Sequence, residues 1–299
     1  MLRLTRAEGP RPEDFNLSRR ALAQRALGGM IFAGYAAAAL AAEAAPITTD
    51  SQGLETAAIA IPEGGEQLPA YIARPKAPGR HPAVLVCSEV FGVHAYIQDI
   101  CRRLAKAGYV AIAPAFFFRA PDGDKLPTLT DFPSIIKIVN TAHLEQVMGD
   151  VGATLKWLQA QPFVDPRKLA VTGYCWGGGT TWMAASRFPE LKAAVAWYGP
   201  LAHPPEGHGE PGRLYPFDVA GQLKCPVLGL YGGQDKGITA DHVAAMRDAL
   251  AKAGVKDEIV VYPDAGHGFH ADYRDSYNAA DAEDGWKRML AFFRANGVG

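Results

Sequence analysis

The sequence predicts an α/β protein: a mostly parallel central sheet with helices on both faces, in a single domain. Three observations lead there. Short runs of apolar residues alternate with amphipathic helical stretches from Glu55 to the C-terminus. The runs are apolar at successive positions, as strands covered on both faces require. No repeat or low-complexity linker interrupts this alternation.

In order, Glu55–Ile61 and Leu68–Ala73 are β-prone and flank Pro62-Glu63-Gly64-Gly65, a hairpin-like connection. Ala83–Cys87 is continuously apolar and reads as a buried strand. Ile97 to Ala107 places Ile97, Ile100, Cys101 and Leu104 on one helical face, and Gly108 stops it. Val110–Ala113 is the next strand. Pro114 to Asn140 begins as an irregular loop and ends in a short helix near Ile135–Val139. His143 to Gln159 keeps apolar residues at helical spacing. Leu169–Thr172 is a strand, followed by a glycine-rich turn and a helix from Trp176 to Arg187. Ala193–Trp197 is a strand, and Gly199–Gln222 a long Pro- and Gly-rich loop. Strand Val227–Tyr231, helix Thr239–Ala253, strand Ile259–Tyr262 and helix Ala279–Arg294 complete the chain.

Composition narrows the function. The chain is 48% hydrophobic and 20% charged, with net charge −1, which excludes a disordered polyelectrolyte and a basic nucleic-acid surface. The cysteines Cys87, Cys101, Cys175 and Cys225 are widely spaced, so neither a zinc ribbon nor a thioredoxin-type pair is indicated. Cys87 and Cys101 fall on predicted core positions and Cys225 at a strand entrance. His203 and His208 lack metal-ligand spacing, and no metal or organic cofactor is expected.

Residues 1–44 stand apart. Arg19-Arg20 and Arg25 precede an uncharged Ala- and Gly-rich run from Ala26 to Ala42, then Ala42-Glu43-Ala44. Charged, apolar and small-residue segments in that order predict an export signal, and the arginine pair points to the twin-arginine type. The expectation is cleavage near Ala44, a mature domain 45–299 in the periplasm or secreted, and no membrane anchor afterwards.

The chemistry centres on Gly173-Tyr174-Cys175-Trp176-Gly177. It lies between a strand and a helix, where a sharp turn exposes one side chain and needs glycine neighbours. This is the nucleophile-elbow pattern with Cys in place of Ser. The helix N-terminus after Cys175 favours its thiolate. Asp235 follows strand Val227–Tyr231 and His267 follows strand Ile259–Tyr262. All three lie beyond the carboxyl ends of strands, the edge of a parallel sheet where sites form. Nucleophile, acid, histidine is the chain order of the α/β-hydrolase triad. His267 is expected to exchange a proton with Cys175, and Asp235 to fix its tautomer. The rival reading is a non-catalytic redox-sensing or binding protein in which Cys175 is the oxidisable group.

Gly-Tyr-Cys-Trp-Gly-Gly, Asp235 and Ala-Gly-His-Gly-Phe together resemble the dienelactone hydrolase family of the α/β-hydrolase superfamily, from about Glu55 to the end. A second matching motif is Glu89-Val90-Phe91-Gly92. The resemblance implies that Glu89 interacts with the thiol and helps control its ionisation. It implies an oxyanion hole from the N–H groups of Trp176 and Val90, and a small-molecule ester or lactone substrate, with general short-chain ester or thioester hydrolysis as an alternative. Family members acting on dienelactone bind its carboxylate with two arginines. Arg119 matches one. The position of the other is Ala271 here, with Arg274 three residues further on. Arg119 and Arg274 are therefore the expected substrate-binding residues.

Overall fold

The computed structural model describes residues 46–204, 210–255 and 258–299. The export signal expected in residues 1–44, and His208, lie outside the described residues.

Eight strands form one sheet in the order β1-β2-β4-β3-β5-β6-β7-β8. They are β1 (Leu54–Glu63), β2 (Glu66–Pro75), β3 (His81–Cys87), β4 (Val110–Pro114), β5 (Val164–Tyr174), β6 (Leu191–Trp197), β7 (Val227–Gly232) and β8 (Ile259–Tyr262). The β1–β2 and β2–β4 pairings are antiparallel, and every pairing from β4 to β8 is parallel. The hairpin between β1 and β2 closes through Gly64 and Gly65, whose φ values of 55° and 86° suit the tight turn that matches strand twist. β4, β6 and β7 are buried almost throughout, which explains their unbroken apolar sequences.

The longer helices pack against this sheet: α1 (Ala95–Lys106) on β2 and β4, α3 (Leu144–Gln159) on β1 and β5, α4 (Trp176–Arg187) on β5 and β6, and α7 (Ala279–Ala295) on β6 and β7. Helix α6 (Ala240–Lys252) lies between β7 and β8 in the chain, and Thr239 caps its first turn. Helix α2 (Phe132–Val139) begins earlier than its apolar residues suggest. Asp131 caps it by accepting from the Ser134 N–H, and Pro133 sits in the first turn, where a missing N–H costs nothing. The long loop after β6 is partly ordered into the single turn α5 (Pro216–Val219) and a 3₁₀ turn at Ala220–Gln222. Among the described residues, no helix is long and apolar enough to cross a membrane.

This topology positions the site. β3, β5, β7 and β8 run parallel, so their carboxyl ends share one edge of the sheet. Glu89, Cys175, Asp235 and His267 each follow one of those ends.

Candidate active site

Cys175 is the residue between β5 and α4, with φ 54° and ψ −119°. A non-glycine residue at positive φ is strained, and the surroundings hold it there. The Cys175 N–H donates to the Trp197 carbonyl at 3.0 Å, and its own carbonyl accepts from Gly178 N–H at 2.8 Å. The flanking glycines are required by close backbone approach. A Cβ on Gly177 would lie 2.2 Å from the Cys87 carbonyl oxygen, and one on Gly173 would lie 2.1 Å from that of Gly177.

His267 Nδ1 lies 2.7 Å from Asp235 Oδ2. The other oxygen of Asp235 accepts from the Gly237 and Ile238 N–H groups at 2.8 and 3.0 Å. Burial raises Asp235, but His267 and these N–H groups outweigh it and hold the carboxyl below its usual range. Burial alone would lower His267. Cys175 and the Asp235 carboxylate, the latter hydrogen-bonded to Nδ1, outweigh it and raise the imidazole to about 9. The imidazole thus bridges the elbow thiol and the carboxylate. The thiols of Cys87, Cys101 and Cys225 are raised by burial, are unpaired and have no such partner.

Glu89 is wholly buried, and its described partners are not the thiol. Its Oε2 accepts from the Tyr273 hydroxyl at 2.5 Å and lies 3.3 Å from His94 Nε2. Its Oε1 lies 3.0 Å from Arg274 Nη2. Burial raises this carboxyl, but Arg274, His94 and Tyr273 together hold it at about 2. Tyr273, His94 and Arg274 thus surround the carboxylate. Cys175 is among the groups that raise the Arg274 guanidinium, after Glu89 and Tyr273.

The altered spacing after His267 is resolved by the loop's course. The Ala271 N–H donates to the Gly268 carbonyl and the Arg274 N–H to the Ala271 carbonyl, two turns in succession. They carry Arg274 back to Glu89, its side chain 2% exposed. Ala271 is simply buried.

Arg119 is placed differently. Its guanidinium bonds Asp150 at 2.9 and 3.0 Å and Glu63 at 2.7 Å, and its Nε bonds Glu66. This ties the β1–β2 hairpin to α3. None of its described bonds reaches Cys175, His267 or Glu89, so the expected role in substrate binding is not what its geometry supplies. The neighbouring Phe116 and Phe117 are buried and pack against Trp176, with ring centroids 5.8 and 4.8 Å from it.

Trp176 is the first residue of α4, directly after Cys175, and Val90 directly follows Glu89. Among the described residues, neither of their N–H groups is used in a hydrogen bond. His203 pairs with Asp218 at 2.8 Å. Among the described residues, no group of three or more His, Cys, Asp or Glu side chains is arranged to hold a metal ion.

Sequence reasoning missed His94, Tyr273 and the buried pair Tyr96–His270, whose hydroxyl oxygen and Nδ1 lie 2.6 Å apart. His94 follows Glu89-Val90-Phe91-Gly92 by two positions and Tyr273 adjoins Arg274, so proximity to motif residues was the available signal.

Residues 68–297 match the family model described as the dienelactone hydrolase family. This chain belongs to the dienelactone hydrolase family. A Yersinia pestis protein provisionally named a carboxymethylenebutenolidase is 47% identical over 83% of this chain and 91% of its own length. An Escherichia coli K12 protein of the same provisional name is 45% identical over 88% of this chain and 96% of its own. A crystal structure from Klebsiella pneumoniae, provisionally described as a dienelactone hydrolase, is 46% identical, covers 81% of this chain and 98% of its own, and superposes with a TM-score of 0.75. This likeness agrees with the α/β-hydrolase fold of the family, and the chain is a hydrolase of that family.

Proposed function

We propose that this protein hydrolyses a carboxylic ester or lactone through Cys175, His267 and Asp235. The observation that carries the reading is the His267 imidazole, hydrogen-bonded through Nδ1 to a buried carboxylate and coupled electrostatically to the elbow cysteine. A sensing thiol needs no such partner.

The Cys175 thiolate attacks the carbonyl carbon and forms a C–S bond. The carbonyl oxygen becomes an oxyanion facing the Trp176 and Val90 N–H groups. Collapse breaks the C–O bond, and imidazolium His267 gives its proton to the leaving alkoxide; in a lactone that alkoxide stays tethered to the acyl group. His267, now neutral, takes a proton from water. The hydroxide attacks the thioester, the C–S bond breaks, and the acid leaves as the Cys175 thiolate and the His267 imidazolium return. Asp235 holds Nδ1–H throughout, leaving Nε2 to face the thiol. These steps use side chains, backbone N–H groups and water.

The test is turnover of dienelactone and 4-nitrophenyl acetate by wild type and Cys175→Ala. Wild-type turnover abolished in a folded variant supports the reading, and retained turnover refutes it. Iodoacetamide labelling at one site, with parallel loss of turnover, would identify the thiol. The Arg19-Arg20 segment further supports export of residues 45–299; the N-terminal sequence of the protein recovered from the periplasm tests that.

A further inference from the structure

We propose that Arg103 is a positioning residue of the hydrolase: locked to Asp99, and through Asp99 to Thr49 of the N-terminal segment, it holds Asp272 and so fixes the loop from His267 to Arg274. The inference rests on the hydrolase reading above and concerns how the site is held in place.

The loop between β8 and α7 contains no helix or strand. It is a run of turns, closed where the Asn278 N–H donates to the Phe269 carbonyl at 2.9 Å. Its side chains are therefore placed by what the loop is tied to. His267 is tied to Asp235, and Tyr273 and Arg274 to Glu89. Between these, two ties run to helix α1. His270 Nδ1 lies 2.6 Å from the Tyr96 hydroxyl, and Asp272 Oδ2 accepts from Arg103 Nη2. Tyr96, Asp99 and Arg103 stand at i, i+3 and i+7, which is one face of the helix.

Asp272 is buried, and burial pushes its carboxyl up while the Arg103 guanidinium opposes this. Arg103 bridges two carboxylates with two different nitrogens, since its Nε donates to Asp99 Oδ2 at 2.6 Å. A planar fork does this and a lysine ammonium does not. Asp99 is fixed in turn. It accepts from Arg102 Nη2 at 2.8 Å, from the Thr49 N–H at 2.6 Å and from the Thr49 hydroxyl at 3.1 Å. Arg102 Nε also donates to the Thr49 carbonyl at 2.8 Å. The two arginines and two aspartates balance in charge. Thr49 lies outside residues 68–297, so this part of the lock is not contained in the family match.

The consequence is for catalytic geometry. Asp272 adjoins Tyr273 and Arg274 and follows His267 by five residues. Cys175 acts electrostatically on both His267 and Arg274, so the two ends of the held loop are coupled to the nucleophile. A misplacement of about 1 Å costs on the order of 10²-fold in rate.

The experiment follows 4-nitrophenyl acetate hydrolysis from pH 5 to pH 10 by wild type, Asp272→Asn and Arg103→Lys, with urea unfolding alongside. Asp272→Asn keeps the side chain's shape and leaves Arg103 paired with Asp99. Arg103→Lys keeps the charge without the fork. The kcat per folded molecule is expected to fall roughly tenfold or more in Asp272→Asn and less in Arg103→Lys, with KM within about threefold of wild type. The alkaline limb, at about 9 in wild type, is expected to move to lower pH as His267 loses its seat. A role in folding alone lowers the urea midpoint and moves neither readout. Wild-type kcat and an unmoved limb in a folded variant therefore overturn the inference and leave the hydrolase reading intact. If Asp272→Asn does not fold, Arg103→Lys and Thr49→Val, which removes only the hydroxyl bond to Asp99, decide on the same two readouts. No turnover by folded wild type overturns the hydrolase reading and removes the inference with it.

Discussion

Asp235→Asn is the sharpest probe of the site, because the structure dictates which way the amide must point. Asp235 Oδ1 accepts from the Gly237 and Ile238 N–H groups at 2.8 and 3.0 Å. In the variant only the amide oxygen satisfies those donors, so the NH2 group takes the place of Oδ2, 2.7 Å from His267 Nδ1. That NH2 donates, and Nδ1 must accept. The imidazole proton is then forced onto Nε2, the atom that faces the thiol and must receive a proton. The imidazolium also loses its carboxylate partner. A loss of roughly three to four orders of magnitude in kcat follows, about 4–5 kcal/mol of barrier. The pH arm has a defined sign. Asp235 is one of the groups that raise His267 to about 9, so its removal shifts the ring downward. In wild type the alkaline limb of iodoacetamide-sensitive turnover lies near that value, and in the variant it moves toward neutral. The assay is kcat and kcat/KM on a neutral lactone between pH 5 and pH 10, with unfolding by urea as a control for folding. A folded variant that loses less than about tenfold refutes the tautomer argument.

Three further predictions test separate parts of the structure. Gly177→Ala forces a Cβ to within 2.6 Å of the Cys87 and Ser88 carbonyl oxygens, so stability should fall by about 3 kcal/mol or more and turnover with it; urea unfolding near the wild-type midpoint contradicts this. Tyr273→Phe removes a hydrogen bond to the ionised Glu89, worth about 1.5–3 kcal/mol at pH 7. Because Glu89 is held at about 2, below its ordinary value, the stabilisation is present above the ordinary carboxylate range and is lost only as pH falls through about 2, so the two proteins should differ by a similar amount from pH 7 to pH 5 in urea unfolding. His270 is lowered to about 3, first by burial and then by Arg103, so the unfolded chain takes up a proton near pH 6.5 that the folded one refuses. Stability is full above that pH and drops by about 3 kcal/mol between pH 6.5 and pH 4; His270→Gln should show a shallower acid decline in the same interval, and a parallel decline counts against the assignment.

The fold was legible where one physical rule governs. Strands covered on both faces must be apolar throughout, and β3 to β8 were located from that alone. Helix α2 was placed too late because an apolar count ignores the Asp131 cap and the tolerance for Pro133 in a first turn. The hairpin glycines and the elbow glycines were readable for a different reason. Positive φ and sub-van der Waals backbone approach leave no other residue, so the requirement is written directly in the sequence. The three triad residues were found because each follows a strand that ends at the same edge.

Arg119 and Arg274 show where such reasoning stops. Both were singled out by position relative to a motif, and position along the chain does not determine which anion a guanidinium meets. Arg119 is neutralised by residues from β1, β2 and α3, none of them near it in sequence. Arg274 reaches the site despite its displaced spacing, because two consecutive turns shorten the path from His267. The same turns bring Tyr273 onto Glu89, so one loop supplies both the cation and the neutral donor that hold that carboxylate. In this chain, then, the longer spacing after His267 closes a charge balance within the protein, between Arg274 and Glu89.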